Sequence, residues 1–181
     1  MISYSSKRSH SAVISVFLLL FPMTALSGCT EELTELIVVV DTDLDIPFEA
    51  HELKIAVDAS ELGEEPREAT APLFGEDAVE LPGTLSVVNR GQTLGPIDIT
   101  AMARLGGTTI VERRARVHFV RGRSMVLRLD LLRDCMGVSC RDGQTCSIDG
   151  CRSEEIAPEE LLPWDGQPFD RSLGEVERCN G

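Results

Sequence analysis

Aromatic side chains and positive charge are both scarce in this chain. Only 4 % of the 181 residues are aromatic, with one Trp and one Tyr, which leaves little material for a site that stacks on bases or sugar rings. Lys and Arg number 17 against 30 Asp and Glu, for a formal charge of −13. With the leader cations Lys7 and Arg8 set aside the remainder carries −15, so binding to nucleic acid through its phosphates is not expected. Histidine is rarer still, with only His51 and His118 beyond the leader. His51 opens an alternating strand pattern and His118 shares a polar face with Arg114 and Arg116, and neither has a nucleophile signature or metal-ligand spacing around it. There is no G-x-S-x-G, no phosphate-cradling glycine loop and no dinucleotide fingerprint. No enzymatic activity and no cofactor are therefore expected.

What is present begins with a leader. Lys7 and Arg8 precede an apolar stretch from Ala12 to about Leu26, and small residues lead into Cys29. That three-part layout is the form of a secretory signal, and Pro22 makes the stretch a poor membrane span. Leu26-Ser27-Gly28-Cys29 resembles the lipobox of bacterial lipoproteins. The resemblance implies that Cys29 is the lipidated first residue of the mature chain. Each buried acyl methylene contributes about 0.8 kcal/mol, so several chains hold a domain at a membrane where one would not. Thr30 follows in place of aspartate, which under the sorting rule of enteric bacteria favours the outer membrane over the inner.

From Leu36 to Leu132 the chain reads as strand after strand, with no helical period and no internal repeat. The first run sets Val38, Val40, Thr42, Leu44 and Ile46 on one face and Asp41, Asp43 and Asp45 on the other. Those three carboxylates are the one constellation that could hold calcium. Alternate strand residues stand about 7 Å apart, so a solvated acidic edge is the preferred reading. The stretch from Ala59 to Asp77 has the Gly, Pro and acid content of an exposed loop. Around Gly106-Gly107, the apolar faces coincide only if the hairpin contains an odd extra residue, which pairs Ala103 with Val111, Ile99 with Ala115 and Asp98 with Arg116. This register turns Arg113 inward, where it must reach the sandwich edge or meet an acid. About seven short strands joined by turns predict an all-β, immunoglobulin-like or prealbumin-like β-sandwich.

Charge is unevenly spread along these strands. Residues 30–86 hold sixteen acids against Lys54 and Arg67, whereas residues 90–128 hold eight arginines against Asp98 and Glu112. Acidic and basic strands that face each other or water explain this most simply.

Cys135, Cys140, Cys146 and Cys151 follow with C-x₄-C-x₅-C-x₄-C spacing. Paired C-x₂-C knuckles and a nearby histidine are missing, and an exported chain meets oxidising conditions, so two disulfides are expected in place of zinc. Three connectivities are open, and the interleaved one, Cys135–Cys146 with Cys140–Cys151, is preferred. The tail is acidic and proline-interrupted, with one short helix expected around Glu159–Leu162. Trp164 is the candidate to dock it, and Cys179 is the odd thiol. The expected organisation is a leader at 1–28, a tether at 29–35, the sandwich at 36–132, a cysteine-rich module at 133–152 and a loose, largely irregular tail at 153–181.

The order lipobox, "VVVDTDLDIP", "LGPIDITAMARLGG", "VRGRSMVLRLDLLRDC" and "GQTC" resembles predicted cell-envelope lipoproteins of myxobacteria, a group of uncharacterised activity. The resemblance implies a lipid-anchored protein of the bacterial cell envelope, and the preferred role for its sandwich is non-enzymatic, structural or protein-binding, with the membrane, through the lipid, and an envelope protein as partners. A binding module for calcium or glycan is the alternative.

Overall fold

The computed structural model describes residues 33–169. Seven strands build a two-layer sandwich: β1 Glu35–Thr42, β2 Glu52–Asp58, β3 Arg67–Pro72, β4 Gly83–Val88, β5 Ile97–Leu105, β6 Thr108–Val117 and β7 Ser124–Leu131. A two-stranded ribbon, β8 Gln144–Ser147 and β9 Gly150–Ser153, follows, and β10 Leu162–Pro163 returns to the sandwich. One sheet has the order β10-β7-β1-β4 and the other β3-β2-β5-β6. The first two strands are sheet neighbours in the immunoglobulin arrangement, but here they lie in opposite sheets, so the prealbumin-like alternative is the one adopted.

Period-two alternation explains the core. Leu36, Val38 and Val40 of β1 face inward beside Met125, Leu127 and Leu129 of the parallel strand β7. Leu53 and Ile55 of β2, Ile97, Ile99, Ala101 and Ala103 of β5, and Val111, Ala115 and Val117 of β6 come from the other sheet. β1 is central and buried on both faces, which its unbroken Leu36–Val40 run reflects: Ile37 and Val39 point outward yet are buried with Val126, and Phe169 packs against them.

The β5–β6 register pairs Ala103 with Val111, Ile99 with Ala115 and Asp98 with Arg116, as the matched apolar faces require. The extra residue sits elsewhere than expected. Leu105 pairs with Thr108 across a two-residue Gly106-Gly107 turn, and the odd residue is a bulge at Ile110. Both glycines have positive φ, 58° and 82°, the backbone a tight primed turn demands.

Three sequence expectations are corrected. The predicted loop between Ala59 and Asp77 contains β3, an edge strand whose exposed, polar-rich face conceals it in the sequence. The first strand stops at Thr42, where the threonine hydroxyl bonds the Leu131 carbonyl and accepts the Leu44 N–H, so Asp43 and Asp45 lie beyond it. In the tail the short helix expected around Glu159–Leu162 is a 3₁₀ turn at Pro158–Glu160, and the chain beyond it is docked where a loose segment was expected, with Leu161 buried in the main core and β10 paired to β7. Trp164 binds through its backbone N–H to the Ser124 carbonyl, while the residue stays 42 % exposed and Phe169 packs on Ile37, Val39 and Val126.

Candidate functional site

At one side of the sandwich β3 and β4 are both edge strands. The register puts Ala69 and Ala71 of β3 on the inward face, opposite Ile55 and Leu53. Alanines are too short to close the sandwich against Leu85 and Val87, the inward residues of β4. A cleft of about 190 Å³ results, with Ile55, Val57, Leu85 and Val87 in its walls. Glu64, Glu65 and Glu68 rim it. Glu64 pairs with Arg67 at 3.1 Å and Glu68 with Lys54 at 2.8 Å, which employs both cations of the acidic half of the sequence. Glu65 makes no ion pair among the described residues. The arrangement combines an apolar slot, a carboxylate rim and two strand edges that each lack a neighbour on one side.

The aspartate trio does not converge. Asp41 pairs with Arg128 at 3.0 Å on the outer face of the sheet. Asp43 accepts the Arg133 backbone N–H at 2.6 Å. The Asp45 backbone bonds Glu49 twice: its N–H donates to the Glu49 carboxylate, and its carbonyl accepts the Glu49 N–H. Glu49 also holds the Arg133 guanidinium at 2.6 Å. Hydrogen bonds from the Asp45 backbone and from Arg133 together depress the Glu49 pKa below its ordinary 4.5. The segment is thus a clamp between the end of β1 and the chain leaving β7, and among the described residues no His, Cys, Asp or Glu cluster is placed to hold a metal. His51 accepts the Gly106 N–H through Nε2 and stacks at a tilt on Phe74, and His118 is exposed beside Gly95.

The four cysteines form Cys135–Cys146 and Cys140–Cys151, the interleaved pair of bridges. They do not make a separate module. Cys135 and Cys146 belong to the main hydrophobic core, and β6 carries the ribbon on its edge. There the Arg114 N–H donates to the Thr145 hydroxyl, the Arg113 guanidinium donates to the Cys146 carbonyl, and Arg116 exchanges backbone bonds with Glu154 and Ile156. The inward Arg113 therefore escapes at the sandwich edge.

Cys29, the expected lipidation site, and Cys179 lie outside the described residues. Among those that are described, no helix is long and apolar enough to cross a membrane. No family model, curated protein or solved structure matches this chain.

Proposed function

We propose that this protein is a lipid-anchored component of the bacterial cell envelope, tethered through Cys29, whose sandwich binds another protein at the β3/β4 mouth and performs no chemistry. The leader supports the anchoring half of this reading: an apolar run, two small residues and a cysteine, followed by a short acidic tether. The mouth carries the binding half. An extended segment can add to a free strand edge through main-chain hydrogen bonds while alternate side chains enter the slot. The carboxylate rim suits a basic segment, because opposite charge both steers the encounter and fixes its register.

A photo-crosslinking residue in place of Val88, at the lip of the cleft, tests the binding half in intact cells. The expected result is a discrete adduct that disappears when Glu64, Glu65 and Glu68 are all changed to Lys, with the sandwich still folded. An adduct indifferent to that charge reversal, or none at all, would rule the mouth out as the contact surface. Replacing Cys29 with Ser in the same strain tests the anchoring half separately, by release of the protein from membranes.

A further inference from the structure

The opposite side of the sandwich has a second opening, and its chemistry is cationic. β10 pairs with β7 only at Met125 and Val126, so from Leu127 onward that edge of β7 has no strand beside it. A cavity of about 120 Å³ lies there, between β6, β7 and the chain from Arg152 to Leu162. Leu127, Leu129 and Ile156 give it aliphatic walls, and Arg113, Arg114, Arg128 and Arg152 line it with one acid, Glu160.

Three of these arginines have carboxylate partners. Arg114 pairs with Glu112 at 3.3 Å and Glu154 at 3.7 Å, Arg128 with Asp41 at 3.0 Å and Asp130 at 2.8 Å, and Arg152 with Glu160. Arg113 is different. It makes no ion pair among the described residues, and while its guanidinium donates to the Cys146 carbonyl, its Nε is buried without a hydrogen-bond partner. Burial lowers its pKa, the neighbouring Arg152 lowers it further, and Asp130 offsets only part of this. Asp130 is itself pushed up by burial, against the pull of Arg128. A buried donor left unmatched destabilises the fold, and an aliphatic side chain on the inward face of β6 opposite Ala101 would avoid that cost.

The backbone adds a further donor. The Ser124 carbonyl accepts the Trp164 N–H on the side of β7 away from β1. Strand alternation turns the main-chain groups of Arg128 to that same side, beyond the end of β10 and toward the cavity.

We propose that this cavity is a binding site for a small oxyanion, a carboxylate or phosphate group gripped by Arg113 and the Arg128 N–H, whose short aliphatic portion lies against Leu127, Leu129 and Ile156. The guanidinium fork matches either group, and Arg113 is the one arginine lining the cavity with no carboxylate partner among the described residues. The proposal is independent of the β3/β4 mouth, which lies at the other side of both sheets.

Calorimetric titration of the full chain with inorganic phosphate, and separately with acetate, is the test. At least one probe should bind saturably at a single site and lose affinity as salt rises, and the tighter of the two identifies the group recognised. Arg113→Met should weaken binding tenfold or more, while Arg67→Met, at the far mouth, should leave it unchanged. Should Arg113→Met fail to fold, the Arg113 Nε–H resonance of the unaltered protein is the readout, and it should move during the titration. Absence of saturable binding by both probes, equal affinity in Arg113→Met, or an unmoved Nε–H signal would overturn the assignment.

Discussion

The two disulfides offer a comparison in which chain entropy cancels. Each joins cysteines eleven residues apart, and removing either leaves the other spanning a loop of the same size. The loop-closure relation assigns each about 3 kcal/mol. Burial separates them. Cys135 and Cys146 are 5 % and 7 % exposed within the main core, whereas Cys140 is half-buried and Cys151 is exposed. Changing Cys135 and Cys146 together to Ala therefore costs the loop term plus two buried sulfur atoms. If each deletion resembles Ile→Val, the extra loss is about 0.5–1.5 kcal/mol per site, or about 1–3 kcal/mol for the pair. Changing Cys140 and Cys151 to Ala costs little beyond the loop term. Thermal and urea unfolding of the two double variants should show the buried pair melting lower by several degrees, at about 2–4 °C per kcal/mol for a chain of this size. Equal losses would refute the claim that the ribbon shares the sandwich core.

Other perturbations probe other contacts. Phe169→Ala should uncover Ile37, Val39 and Val126, destabilising the protein by about 1–3 kcal/mol and increasing the binding of an apolar dye; unchanged melting would show that Phe169 does not seal this face. Gly106→Ala and Gly107→Ala place a side chain at positive φ, and each should cost about 1 kcal/mol in urea titrations. For Glu49 the folded pKa is depressed, so its contribution is complete above the ordinary 4.5 and is lost as pH falls through the folded value. Glu49→Gln should therefore lower stability at neutral pH and flatten its loss in acid, and parallel pH–stability curves for the two proteins would contradict the clamp.

Much of the sandwich is legible in the chain because the inward side chains are aliphatic at every second position. Ile97, Ile99, Ala101 and Ala103 against Val111, Ala115 and Val117 admit one register, and the structure adopts it. Where the extra residue falls, at Ile110 rather than in the turn, is not encoded in that pattern, since a wider loop or a bulge satisfies the faces equally. β3 escapes notice for a different reason: "REATAP" is exposed along almost its whole length, and pairing with β2 makes it a strand. The tail is similar, with Leu161 and Phe169 set in an aperiodic, proline-interrupted stretch and pinned by tertiary contact. Cysteine spacing together with the expected export points to the bridges, yet nothing in it shows that Cys135 and Cys146 point into the main core. Both clefts are assembled from strands distant in sequence. The inward Arg113 is the one residue whose conflict with its strand face, visible from alternation alone, marks either of them.

Anchoring is the claim on which the proposed function rests, and the intact mass of the protein extracted from bacterial membranes tests it most directly. Lipidation at Cys29 requires a mature chain that begins there and is heavier than its sequence by the mass of the attached acyl chains. An unmodified chain that retains residues 1–28, or one cleaved elsewhere with a free Cys29 thiol, would contradict it.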